Sequence, residues 1–217
     1  MSERSGVTRR RFLQGIGVAA AGGAVGGAVG STIVALPGIA LAGAEGGDAA
    51  ADVEVLGPGP VPVKLSVNGK DHALQAEPRA TLLDVLRNDL GVTGPKEVCD
   101  RGACGACTVL LDGIAVCACM TLALDADGRK VTTVEGLCEK DGSPGDLQRA
   151  FVEKDALQCG FCTPGMVTAS AALLAANPSP TAEDVRAGIS GKLCRCVTYP
   201  RIVEAVIATA ALRRKGR

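Results

Sequence analysis

Apolar and polar residues alternate over 63–67, which predicts a half-buried strand, and Asn68-Gly69 after it is a two-residue hairpin turn returning through 70–76. Leu82, Leu83, Val85, Leu86 and Leu90 then recur at helical spacing. Thr81 stands as N-cap and Gly91 as stop. A second hairpin is expected over 108–111, the turn Asp112-Gly113 and 114–119, with a last strand over 130–134. Two hairpins packed with one helix make a small α+β unit over 63–138. Past Ser143-Pro144-Gly145 the period changes to that of helices. These are expected over 146–154, from 165 or 166 to 176, from a Thr181 cap with Asp184 as its capping-box partner, and from a first turn at Pro200 to about 213. Four helices without strands suggest a small bundle over 146–213. No internal repeat is visible.

The 217 residues suffice for one large domain or two small ones. Charge is balanced at 23 basic and 23 acidic residues, no basic block stands out, and one Tyr with no Trp leaves no stacking platform; a nucleic-acid binder is excluded. At the N-terminus, Arg9-Arg10-Arg11-Phe12-Leu13 precedes a Gly- and Ala-rich stretch with no charge until Glu45, and Ala40-Leu41-Ala42 is a small-x-small site. This reads as a twin-arginine signal peptide over 1–42, hence a periplasmic protein folded before export. The competing reading is an uncleaved membrane anchor, since the stretch is long enough to span a bilayer. Residues 43–62, with Gly57-Pro58-Gly59-Pro60, read as a linker.

Ten cysteines change the picture most. In an exported chain the default is a disulfide scaffold, a colourless binding protein free of iron. The spacing argues for metal. Cys99, Cys104 and Cys107 follow C-x4-C-x2-C, with Cys119 later, which is the ligand pattern of a plant-type [2Fe–2S] ferredoxin. Gly102 and Gly105 allow a tight wrap that points N–H groups at the sulfurs. The second set is Cys159-Gly160-Phe161-Cys162 and Cys194-Arg195-Cys196, each beside the start of a helix, where the positive helix end favours a negative cluster. A C-x-C pair suits a zinc knuckle poorly, and with His72 as the single histidine, mixed Cys/His zinc, a Rieske centre and a histidine general base are all hard to build.

Cys99–Thr108 with Cys119-Met120-Thr121-Leu122-Ala123, Gln158-Cys159-Gly160-Phe161-Cys162-Thr163-Pro164-Gly165-Met166, and Leu193-Cys194-Arg195-Cys196 closely resemble the iron–sulfur subunit of the xanthine dehydrogenase / aldehyde oxidoreductase family of molybdenum hydroxylases. The resemblance covers about 63–210. It implies a β-grasp ferredoxin-like domain followed by a four-helix-bundle domain, two [2Fe–2S] clusters, and a large partner subunit holding a molybdopterin cofactor. There the substrate, an aldehyde, purine or N-heterocycle, is hydroxylated. It further implies that electrons pass through the bundle cluster, then the ferredoxin cluster, to a flavin subunit or a cytochrome, and that Gln158 and Cys196 lie against the pterin. No residue of this chain is then a catalytic acid or base. A freestanding exported two-cluster ferredoxin is the alternative.

Several residues stand apart. The family has Gly before the first ligand, where this chain has Val98, and Gly soon after Cys196, where it has Val197-Thr198. Cys117, two residues before Cys119 on one strand face, competes with it as a ligand. Cys138 lacks a partner at ligand spacing and is expected as a buried free thiol. Arg195 is expected as solvated charge, and Arg213, Arg214, Lys215 and Arg217 as a frayed tail.

Overall fold

A computed structural model describes residues 55–216; the expected signal segment and most of the linker lie outside them. Strand β1 (Val61–Val67) turns through Asn68-Gly69, both at positive φ (50° and 78°), into β2 (Lys70–Ala76). β1 starts two residues inside the expected linker, because Val61 pairs with Ala76 and Pro62 with Gln75. Helix α1 (Leu82–Asp84), continued by a π turn over Val85–Asp89, begins at Thr81. The Thr81 hydroxyl accepts from the Asp84 N–H while the Asp84 carboxylate accepts from the Thr81 N–H.

Strands β3 (Thr108–Leu111) and β4 (Ile114–Cys117) form the second hairpin, and β5 (Lys130–Thr132) completes a five-stranded sheet in the order β2-β1-β5-β3-β4. β5 runs parallel to β1 and antiparallel to β3, so the two hairpins are joined through a strand distant in sequence from β1. Val63, Leu65 and Val67 point inward at a spacing of two and meet Leu82, Leu83, Val85, Leu86, Val109, Leu111 and Val131 in one core.

Two strands are shorter than their composition suggests. β4 ends at Cys117, not at 119, because the chain turns into a 3-10 helix over Ala118–Met120 whose Ala118 N–H donates to the Cys107 carbonyl (3.3 Å). β5 ends at Thr132 and gives way to a 3-10 turn over Val134–Leu137.

The second half is helical: α2 (Asp146–Glu153), α3 (Thr163–Ala176), α4 (Ala182–Gly188) and α5 (Tyr199–Lys215). α3 begins two residues before the earliest expected start, since Pro164 sits in the first helical turn, where its missing N–H is not needed. Thr181 and Asp184 form the expected capping box. α3 touches α2, α4 and α5 and also lies against β3, and Phe151, Met166, Val185, Ile202 and Val206 fill the helical core. The end of α5 is no frayed tail: Arg213 makes a two-pronged ion pair with Asp146 at the start of α2 (2.6 and 2.8 Å). The reason is topological, because the last turn of α5 is brought back to the first turn of α2.

Candidate metal centres

All ten cysteines are free thiols. The first loop leaves α1 and is held before it reaches Cys99. The Arg87 guanidinium donates to the carbonyls of Thr93 (3.0 Å) and Pro95 (2.9 Å), and the Glu135 carboxylate accepts the Gly94 N–H (2.7 Å). Lys96 N–H donates to the Ala106 carbonyl, closing the loop on itself. Within it, Asp100, Gly102 and Gly105 take positive φ, which turns successive N–H groups inward. The backbone N–H of Arg101, foremost, then the Cys104 thiol and the N–H groups of Cys104 and Ala103 favour the Cys99 thiolate against its burial and bring that thiol down to about 7. Gly102 N–H donates to the Cys119 sulfur (3.3 Å). Burial, foremost, pushes the Cys107 thiol up to about 12, with the neighbouring Cys119 side chain adding to it.

The 3-10 turn separates the two candidates for the fourth position. Cys119 does not sit at the end of a strand and does not share a strand face with Cys117. It lies in a turn that folds back over the cysteine loop, whereas Cys117 ends β4 opposite Thr108. The turn is anchored on its far side, where Leu82 N–H donates to the Thr121 carbonyl (2.7 Å). Cys104, Cys107 and Cys119 are buried and Cys99 is half-buried.

The second group joins two loops 31 residues apart. Cys162 is the N-cap of α3, and Cys159 precedes it across Gly160 at positive φ. The Phe161 N–H, foremost, and the Cys196 thiol favour the Cys159 thiolate and lower its pKa. The Cys159 N–H favours the Cys196 thiolate, but the Cys159 side chain and burial outweigh it and raise that thiol. Burial and then Cys194 push Cys162 up to about 12. At Cys194 burial opposes ionisation, yet the Thr198 hydroxyl (3.3 Å from the sulfur), the Thr198 N–H and Cys162 outweigh it and bring the thiol to about 7. So Cys159 meets Cys196 and Cys162 meets Cys194. Tyr199 braces the second loop: its hydroxyl accepts the Cys194 N–H (2.7 Å) and donates to the Lys192 carbonyl (3.1 Å).

Of the two departures from glycine, only one strains the backbone. Val98 lies outside the positive-φ residues and faces solvent, whereas Val197 sits at φ 61°, a left-handed conformation rare for a β-branched residue. Gln158 is exposed beside Cys159, and Arg195 is exposed as expected. Cys138 is half-buried and lines an apolar cavity of about 350 Å³ with Phe151, Leu157 and Val167.

Sequence reasoning missed Arg87, Glu135 and Tyr199. Tyr199 carried a usable signal, being the chain's one tyrosine and standing three residues past the C-x-C pair. Among the described residues no three His, Cys, Asp or Glu side chains crowd one point closely enough for a single ion. The sulfurs instead stand in pairs within loops of inward N–H groups, an arrangement whose soft donors and hydrogen-bond donors suit a negatively charged iron–sulfur group. Such a group supplies reversible one-electron storage; the chain supplies thiolates, N–H donors and enclosure.

Two family models match: a 2Fe-2S iron-sulfur cluster binding domain over residues 65–138 and a [2Fe-2S] binding domain over 133–207. The chain is 51% identical over 147 residues to the nicotine 6-hydroxylase small subunit of Paenarthrobacter nicotinovorans, covering 68% of this chain and 88% of that one. This chain belongs to the iron–sulfur subunits of the molybdenum hydroxylases. Like the other members, this iron–sulfur subunit serves an oxidoreductase complex in electron transfer and performs no substrate chemistry of its own. It is 43% identical to the aldehyde oxidoreductase of Megalodesulfovibrio gigas over 68% of its own length but only 16% of that protein, whose chain is far longer. Its fold matches a chain of quinoline 2-oxidoreductase from Pseudomonas putida 86 with a TM-score of 0.69 and 42% identity, covering 72% of this chain and 98% of that one.

Proposed function

We propose that this subunit carries two [2Fe–2S] clusters and relays electrons from a molybdopterin-binding large subunit to a flavin subunit or a cytochrome. Cys99, Cys104, Cys107 and Cys119 hold the first cluster, on a β-grasp ferredoxin-like domain over 63–138. Cys159, Cys162, Cys194 and Cys196 hold the second, on a four-helix bundle over 146–213. Gln158 and Cys196 face the pterin of the large subunit, which oxidises an N-heterocycle or an aldehyde. The twin-arginine segment over 1–42 exports the folded, cluster-loaded chain to the periplasm. One observation carries the reading: eight free thiols fall into two groups of four, each joining cysteines from separate loops, with backbone N–H groups turned toward them.

Loaded protein should contain about four iron atoms per chain and give two distinct paramagnetic signals on reduction. Cys159→Ser should abolish one signal and spare the other; loss or survival of both contradicts the ligand sets. Purification from the native source should bring a large molybdenum-containing chain with it, and isolation without one supports a freestanding ferredoxin instead.

A further inference from the structure

A cavity of about 340 Å³ opens between the end of α4 and the start of α5. Its floor is apolar, formed by the buried core residues Ile189 and Val203. Arg186, Ser190 and Lys192 also line it, and no acidic side chain does. Arg186 pairs at 3.4 Å with Glu183 on its own helix, both side chains exposed, and such a pair holds weakly. Lys192 makes no ion pair among the described residues. Tyr199 lines the cavity as well. Its hydroxyl accepts the Cys194 N–H (2.7 Å) and donates to the Lys192 carbonyl (3.1 Å), so the same side chain bounds the cavity and braces the second cysteine group. These features define a ligand. Two cations without an acidic neighbour select an anion, and the apolar floor rewards a ligand with a hydrophobic body. Inorganic phosphate meets the first condition and fails the second. The volume falls at the low end of the roughly 300–1,000 Å³ typical of small-molecule sites.

We propose that this cavity binds a small organic acid, a carboxylate on a compact apolar body, and that its occupancy lowers the reduction potential of the second group. The binding stands on the cavity alone; the effect on potential rests on the two-cluster reading above. The sign follows from charge. Reduction adds one negative charge to a [2Fe–2S] group, and a carboxylate beside Tyr199 opposes that addition. By linkage the ligand then binds the oxidised protein more tightly than the reduced one. An aldehyde oxidised in the large subunit leaves as such a carboxylate, so for that substrate class the site senses product.

The test uses the full cluster-loaded chain with benzoate as the probe, and benzamide and inorganic phosphate beside it. Titration calorimetry should show saturable benzoate binding at a single site. Benzamide has the shape without the charge and phosphate the charge without the apolar body, so both should bind at least about tenfold more weakly. Arg186→Gln should weaken benzoate at least about tenfold through loss of a charge-assisted hydrogen bond. Arg201→Gln removes the same charge from an exposed position of α5 outside the cavity and should bind benzoate as the parent does. Absence of saturable binding, equal weakening in both variants, or phosphate binding as tightly as benzoate overturns the site. A redox titration followed by electron paramagnetic resonance should then find the signal lost in Cys159→Ser at a lower potential with benzoate bound. The shift should be about 59 mV for a tenfold difference in affinity between the two oxidation states. An unmoved potential in the benzoate-saturated chain overturns the coupling, whereas a chain with iron for one cluster or none overturns the two-cluster reading instead. An acidic side chain of the large subunit offers the same chemistry. Benzoate binding to the isolated chain and not to the purified complex assigns the cavity to that side chain and overturns the free-acid proposal.

Discussion

The two cysteine groups share a ligand type and differ in almost everything that holds them. The first is one continuous loop and a turn, tied together by backbone hydrogen bonds from Lys96 and Ala118 and anchored to α1 by one from Leu82, and three of its four thiols are buried. The second is assembled from two helix starts, braced by the side chains of Tyr199 and Thr198, with Cys159 exposed and Cys162 and Cys196 half-buried. A site made from neighbouring residues needs little more than local turn chemistry. A site made from residues separated by 31 others inherits its geometry from helix packing, so it is the more exposed and the more easily disturbed of the two. Exposure also suits a group that must meet a partner, and the apolar Phe161, Leu193 and Val197 stand around it.

The largest expected effect separates Cys119 from Cys117. Cys119→Ser should remove the first paramagnetic signal and about half the iron, while Cys117→Ser should leave both signals, read by iron assay and electron paramagnetic resonance. Reversal of that pattern returns Cys117 to the ligand set. Next comes reactivity in the iron-free chain. Cys159 is exposed and its thiolate is favoured by the Phe161 N–H, whereas Cys107 is buried with its thiol up at about 12. Alkylation at neutral pH followed by peptide mapping should label Cys159 at least about tenfold faster than Cys107. Equal rates would erase the contrast in enclosure.

Much of this contrast was legible in the sequence. Asn68-Gly69 and Asp112-Gly113 announced their hairpins because those residues accept the positive φ that such turns require, and Thr81 and Thr181 announced their helices because a hydroxyl at that place satisfies an orphan N–H. The end of β4 was hidden, since Ile114 to Cys119 is a run of apolar residues with no period to mark where pairing stops. Non-local ties were hidden too. Nothing local says that Ser66 will lie beside Lys130, that Glu135 will hold Gly94, or that Arg213 will return to Asp146. At the sites the cysteine spacing supplied the two candidate ligand sets, while the braces, Arg87, Glu135 and Tyr199, depend on tertiary packing.

Val197 sharpens the comparison further. A left-handed β-branched residue costs roughly 1–2 kcal/mol, and glycine there loses about 0.5–1 kcal/mol in chain entropy. Val197→Gly should therefore stabilise the chain slightly, by up to about 1 kcal/mol, or about 2–4 °C in thermal midpoint. Val98→Gly has no strain to release and should lower stability. If both variants move in the same direction, backbone strain is not what distinguishes the two loops.

The smallest effect concerns the ion pair that ties α2 to α5, the helix that follows Cys196. The Arg213 guanidinium beside it holds the half-buried Asp146 carboxyl below the usual carboxylate range. A lowered carboxylate pKa stabilises the fold above the ordinary value and ceases to do so as pH falls through the folded one. Both side chains remain partly in water (41% and 25% exposed), so screening limits the pair to about 0.5–1 kcal/mol. Asp146→Asn should cost that much at neutral pH, and its deficit against the parent should close on acidification below the carboxylate range. Because the pair binds helices and touches no strand, hydrogen exchange should quicken in α2 and α5 while β1 and β3 keep their protection. Equal loosening of the sheet would mean that the two halves unfold as one unit, and that the greater vulnerability of the second site comes from exposure alone.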